Sequence, residues 1–171
     1  MTAPVLQTER LTLRRPAARD WEAARAFLTS ERARGNGGPF TLGRAWRLFA
    51  AELGHWDIFG YGMWAACLRG EDRAVALIGP WTPADWPERE IGWMVWDPAA
   101  EGRGLAFEGA RAALGHAFGA LGWPTAVSYV HPANARSIRL AERLGAALDA
   151  GAPRPDPEAL VFRHPRPEAL A

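Results

Sequence analysis

The residues whose types and spacing could do chemistry gather in the second half of the chain. Gly102 and Gly104 flank Arg103 directly ahead of a helix with an apolar stripe. A helix N-terminus presents amide N–H groups that lack carbonyl partners, together with the positive end of the helix dipole. Glycines just before it let the backbone approach a phosphate with no Cβ in the way, and an arginine adds a charged donor. The stretch Glu101-Gly102-Arg103-Gly104-Leu105-Ala106-Phe107 is therefore either a tight strand-to-helix turn or a cradle for an anion. Two phosphate motifs do not fit. The chain has no Gly-Lys-Ser/Thr, and the dinucleotide fingerprint needs glycine where Phe107 stands.

Other candidates flank the turn. Glu90 opens the apolar run "EIGWMVW", an uncommon place for an acid. It reads as a general base or as a solvent-exposed strand end paired with Arg89. Asp85 and Glu88, in the preceding loop, are the alternatives. Projection at 100° per residue puts Ser137, Leu140, Ala141 and Leu144 on one helix face and Arg136, Arg139 and Arg143 on the opposite one. Ser137 then faces inward, as a reacting hydroxyl or as one bonded to a carbonyl a turn back. Asn134 is an N-cap type beside that helix mouth. Tyr129 and His131 are further acid and base candidates. The four histidines and Cys67 show no ligand spacing, so no metal is expected.

The elements that must position these residues follow from periodicity and breakers. "LTLRR" alternates as a strand, and Asp20 reads as the cap of a helix over "WEAARAFL". "RAWRLFAAELGHW" is a second amphipathic helix after the "GNGGPF" loop. "GMWAACLRG" and "AVALIGPW" form two strands, and "EIGWMVW" is a central strand apolar on both faces. The helix after the glycines carries its stripe on Phe107, Ala110, Leu114, Phe118 and Leu121. "TAVSYV", "NARSIRLAERL" and "EALVFRH" supply a strand, a helix stopped by Gly145 and a last strand; Ala147 to Asp149 could add another. That order predicts an α+β (mixed α/β) fold: a mostly antiparallel sheet of six to seven strands flanked by about four helices.

Taken together, "MVWDPAAEGRGLAFEGARAALGHAF" and "VHPANARSIRLAERLGA" resemble the GNAT superfamily of N-acetyltransferases, most closely its ribosomal-protein N-terminal acetyltransferase-like branch. "LQTERLTLRRPAARD" is similar to that branch's first strand and helix, so the likeness spans nearly the whole chain. The family's Gln/Arg-x-x-Gly-x-Gly/Ala signature falls on Glu101 to Ala106, where Gly104 and Ala106 fit and Glu101 departs from the pattern. A carboxylate facing a pyrophosphate is repelled, so Glu101 is expected to point to solvent or pair with an arginine.

The resemblance implies acetyl-CoA as co-substrate, with the backbone of Gly102, Arg103, Gly104, Leu105, Ala106 and Phe107 on its pyrophosphate. Met94, Val95 and Trp96 would run beside its pantetheine arm, where the family's neighbouring strands splay, and Asn134 would touch the cofactor. It also places the base at Glu90 and sets Ser137 near the thioester. The tyrosine that most of the superfamily uses as an acid is replaced by Ala141. Such an enzyme moves acetyl to a primary amine by direct attack in a ternary complex. The acceptor is a small-molecule amine or a protein N-terminus, and the loops "GNGGPF" and Trp81 to Trp86 shape its pocket. The other reading is a non-catalytic coenzyme A-binding sensor or interaction domain.

Bulk properties agree with this. A chain of 171 residues suits one domain, here 1–171 with a Pro-rich tail from about residue 163. A net charge of +1 gives no reason to expect nucleic acid or an anionic membrane as partner. One cysteine makes no internal disulfide, and no apolar run reaches spanning length, so a cytoplasmic monomer or homodimer is expected.

Overall fold

Alternation in "LTLR" becomes strand β2 (Leu11–Arg14), whose Leu11 and Leu13 are fully buried on one face. The computed structural model describes residues 2–167, so Met1 and the last four residues of the Pro-rich tail lie outside the described residues. A two-residue strand β1 (Leu6–Gln7) lines the outer edge of β2. Helices α1 (Trp21–Leu28) and α2 (Leu42–Phe59) follow, then strands β3 (Trp64–Leu68), β4 (Ala74–Trp81) and β5 (Glu90–Val95). Helix α3 (Leu105–Phe118), strand β6 (Val127–Val130), helix α4 (Ala135–Arg143) and strands β7 (Ala147–Leu148) and β8 (Leu160–Arg163) complete the order.

The strands form one sheet in the order β1-β2-β3-β4-β5-β6-β8-β7. Every adjacent pair is antiparallel except β5 with β6. Eight strands exceed the six or seven expected because β1, at two residues, is too short to show a period. The α3 side is packed by Leu11, Leu13, Trp64, Ile78 and Ile91 against Ala110, Ala113 and Phe118. On the other face Ala65, Cys67 and Leu77 meet Phe27, Leu28 and Phe49 of α1 and α2. Gly109 lets α3 come close, because a Cβ there would lie 2.6 Å from Ile78 Cδ1.

Three local expectations change. Asp20 does not cap α1; its carboxylate is 3% exposed and takes both Arg14 terminal nitrogens at 2.8 Å. A nearby cation outcompetes free helix amides for a buried carboxylate, since charge-assisted bonds are the stronger. Helix α2 starts earlier and runs longer than expected, capped by Thr41 Oγ1 and stopped by left-handed Gly60. In α3 the buried face is Leu105, Gly109, Ala110, Ala113, Leu114, Ala117 and Phe118. Phe107 instead turns to the helix edge, where Arg143 stacks 4.4 Å from its ring centroid.

Candidate active site

The turn before α3 is built by backbone conformation. Gly102 and Gly104 both sit in the left-handed region, at φ 71° and 75°. An L side chain there costs about 1–2 kcal/mol, so glycine is the inexpensive choice at each. The first intrahelical bond runs from Glu108 N–H to Gly104 O at 3.1 Å. The amides ahead of it, through Phe107, have no carbonyl one turn back to receive them. They open on a cavity of about 460 Å3 lined by Met94, Val95, Gly102, Gly104, Ala106 and Phe107.

Strand β5, which lines that cavity through Trp93, Met94 and Val95, parts from β6. These strands share a single register pair, Glu90 with Val127, and one backbone bond from Val127 N–H to Arg89 O. Beyond that point Ser128 Oγ donates to Ile91 O at 2.6 Å, a side chain replacing the missing ladder bond. Ser128 also lies 2.8 Å from His164 Nε2. Because its proton is committed to Ile91 O, the imidazole donates to it, and burial lowers the His164 pKa to about 4. The pair therefore bridges the parted strands and is not an activated nucleophile.

Charge around the cavity is arranged differently from the sequence-based expectation. Arg103 is exposed and absent from the lining; its carbonyl accepts a bond from Arg10. The arginines that do line the cavity are Arg32, Arg136, Arg139 and Arg143, so the α4 stripe opposite Ser137 faces this opening. Glu101 pairs with two of them, Arg32 at 2.5 Å and Arg136 at 2.7 Å. Hydrogen bonding to Arg32 first, then Arg136, holds its carboxyl below the ordinary range. Arg32 also donates to Val95 O and Trp96 O. Trp96 itself is buried, with its N–H on Val75 O, and it does not line this cavity. Arg32 gave no sequence signal, since it sits in an irregular 3-10 turn, Glu31–Asn36.

A second cavity, of about 630 Å3, lies on the opposite side of Trp93, Met94 and Ser137, which border both. The loops around Gly35 to Phe40 and Trp81 to Trp86 wall it, as expected. His55 anchors the second loop, accepting Thr82 N–H and donating to Tyr61 O, with Trp81 stacked on its ring. Glu90 is 9% exposed and lines this cavity at the foot of the splay. Trp86 Nε1 donates to its Oε2 at 2.6 Å, and Tyr129 N–H makes a longer bond to Oε1. Desolvation outweighs these bonds and raises the Glu90 pKa to about 7. The proposed pairing with Arg89 does not occur, because that guanidinium stacks on Trp123.

Asn134 Oδ1 accepts Ser137 N–H, so the cap is formed. Ser137 Oγ accepts the Trp93 indole N–H at 3.0 Å, leaving its own proton free for another partner. The remaining candidates separate. Glu88 is bound bidentately by Arg163, and His131 is exposed with Nδ1 on Ala133 N–H. Tyr129 reaches the cavity with its hydroxyl pKa raised to about 12 by burial, a weak acid at neutral pH. Ala141 is fully buried. Among the described residues no three His, Cys, Asp or Glu side chains cluster to hold a metal, and no helix is long and apolar enough to cross a membrane. Glu52, on the floor of the larger cavity, escaped the sequence reading. Its signal was a glutamate on the buried stripe Ala45, Phe49, Glu52, Trp56 of α2.

A sheet that opens beside a glycine-led helix, with arginines around the opening, defines a protein for an extended anionic ligand. The profile of the acetyltransferase (GNAT) domain matches residues 10–147. An acetyltransferase from Agrobacterium tumefaciens strain C58 superposes with a TM-score of 0.92 at 43% identity, over 96% of each chain. The chain belongs to the GNAT acetyltransferase family: it is an N-acetyltransferase, and acetyl-CoA is its acetyl donor. More distant structures share the fold. A putative ribosomal-protein-serine acetyltransferase from Vibrio cholerae aligns at 20% identity and TM-score 0.73, over 96% of this chain and 100% of its own. Aminoglycoside acetyltransferase AAC(6')-Ib in complex with coenzyme A aligns at 19% and 0.75, over 94% and 96%.

Proposed function

We propose that this protein is a single acetyltransferase domain that acetylates a small-molecule primary amine by direct attack, with both substrates bound at once. The observation that carries the reading is Glu90: a buried carboxyl, tuned near neutrality, at the foot of the strand splay and facing the larger cavity. An aliphatic amine with a pKa near 10 is mostly protonated at neutral pH, and a base poised close to 7 suits removal of that proton.

The fit to acetyl-CoA rests on the glycine turn and the smaller cavity. The amides of Gly102 to Phe107, with Arg136, Arg139 and Arg143 around them, suit a pyrophosphate and a further phosphate. Arg103 would contribute its backbone only. Met94 and Val95 border the gap beside which the pantetheine arm would lie, and Asn134 stands at its mouth. Trp96 lines the larger cavity instead and is no backbone partner for the arm, since both its backbone polar groups are engaged. When bound, acetyl-CoA supplies an activated thioester carbonyl. Glu90 takes the amine proton, directly or through water. Ser137, with its free hydroxyl proton where the two cavities meet, donates toward the departing sulfur. A thiol pKa of about 8.5 makes that donation undemanding.

Loops 35–40 and 81–86 wall the acceptor cavity, which supports a small amine over a protein N-terminus. The aminoglycoside acetyltransferase that shares the fold is named for an aminoglycoside acceptor. Thiol release from acetyl-CoA with a panel of primary amines, with mass spectrometry of the products, tests the proposal. An acetylated amine and stoichiometric thiol support it, whereas thiol release that no amine accelerates overturns it.

A further inference from the structure

The two cavities are lined by opposite kinds of ionisable side chain, and the contrast is not inherited from the chain as a whole. The protein has 20 arginines against 19 carboxylates and no lysine. Around the cofactor cavity four arginines face one glutamate. Around the acceptor cavity four carboxylates, Glu52, Asp85, Glu90 and Asp156, are joined by no arginine.

Glu52 is the telling member. It occupies the middle of α2 among that helix's buried residues, which are the apolar Ala45, Phe49 and Trp56 and the hydrogen-bonded His55. The residue is 7% exposed, and Oε2 has no hydrogen-bond partner among the described residues. Among the described residues it makes no ion pair: Arg14 is engaged with Asp20 and Asp72, and Arg15 with Asp57. Burial of a carboxyl without a partner is destabilising, so a leucine or methionine would serve the fold better. Desolvation, with the Glu90 charge adding to it, pushes its carboxyl well above the ordinary range. The side chain that fails as packing lines the cavity through which the amine must come.

From this unpartnered buried carboxyl on an arginine-free acidic cavity, we infer that the acceptor is a small diamine or oligoamine: Glu90 meets the nitrogen to be acetylated and Glu52 receives a second nitrogen. The inference rests on the amine-acetylating reading above. An incoming ammonium satisfies Glu52 in two ways, supplying the missing donors to Oε2 and stabilising the ionised carboxylate. The intervening walls, Phe49, Met63, Trp81 and Trp86, suit an aliphatic spacer, with aromatic faces that also favour cations. A monoamine leaves Glu52 as it was, and so gains nothing from it.

The test is calorimetric titration of the coenzyme A complex with straight-chain diamines of increasing length and with the matching monoamines. The expected result is one diamine length that binds at least about tenfold more tightly than its monoamine, equivalent to ~1.4 kcal/mol. In Glu52→Gln and Glu52→Met, checked for folding by circular dichroism, that ratio should fall to near one. Absence of any diamine preference, or a preference that survives both substitutions, overturns the inference. Turnover is read separately. Diamines that bind through Glu52 but are never acetylated would sink the acetylation proposal alone. Monoamines and diamines acetylated alike, with no dependence on Glu52, would sink the second-nitrogen site alone.

Discussion

Arg32 crosses from the turn after α1 to Glu101, its Nη2 donating to Oε1 at 2.5 Å, while the same guanidinium holds Val95 O and Trp96 O. The one acid at the glycine turn is thereby neutralised by a residue far away in sequence.

That pairing predicts a thermodynamic cycle. Arg32→Gln leaves Glu101 with Arg136 alone, beside the proposed pyrophosphate site. Acetyl-CoA affinity should fall by about tenfold, or ~1.4 kcal/mol. Glu101→Gln should not weaken binding, and the double variant should recover most of the loss, as expected for coupled neighbours. Additive losses in calorimetry would show that Arg32 acts independently of Glu101.

Glu90→Gln should lower kcat by about a hundredfold or more, the scale of lost general-base catalysis. In the unsubstituted enzyme the rate should rise with pH through about 7 as Glu90 loses its proton, and the variant should lack that limb. Stability should move oppositely. A carboxyl whose folded pKa lies above its ordinary value binds protons more tightly when folded, so stability falls as pH rises from about 4.5 to about 7. The variant should therefore melt higher than the parent above pH 7, with the gap closing in acid. Melting curves across that range check the sign.

Trp86→Phe keeps the aromatic wall but removes the indole donor to Glu90 Oε2. That bond lowers the Glu90 pKa, so its loss should carry the basic limb of the rate profile to higher pH. Turnover at saturating alkaline pH should be largely retained. An unmoved limb would separate Trp86 from the base.

Gly104→Ala places a side chain on a left-handed residue, at a cost of about 1–2 kcal/mol. Its Cβ would meet only Arg10 Nη2, at 3.5 Å, so backbone strain and not collision is the cause. Thermal stability should fall and acetyl-CoA should bind more weakly, because the α3 amides lose their alignment. Full affinity in a destabilised variant would make the turn purely structural.

Ser137→Ala should reduce kcat by up to about a hundredfold while leaving the acetyl-CoA dissociation constant nearly unchanged, the pattern of a group used in the transition state. Its backbone bond to Asn134 remains, so α4 stays capped. A loss confined to KM would reassign the hydroxyl to positioning through Trp93.

Most elements were legible along the chain because they rest on local periodicity and on breakers: "LTLR" alternates, α3 starts after its glycines, and α4 ends before Gly145. Local reasoning failed where a distant group changed the outcome. Asp20 is a good cap by type, yet Arg14 claims it. Arg103 looked like the cradle's cation, yet arginines on α4 and Arg32 line the opening, because the approach of α4 to α3 is a tertiary event. Glu52 was readable in principle as the odd acid on an apolar stripe.

The sequence by itself determined the glycine turn, the apolar central strand, the Asn134 cap and the inward face of Ser137, since helix and strand periods and left-handed φ are properties of neighbouring residues. Only the tertiary structure decided that β5 and β6 part after one register pair, that Glu90 is buried enough to titrate near 7, and that Arg32 answers Glu101. Desolvation and ion pairing depend on what the fold brings alongside a residue, and that company comes from segments far apart in the chain.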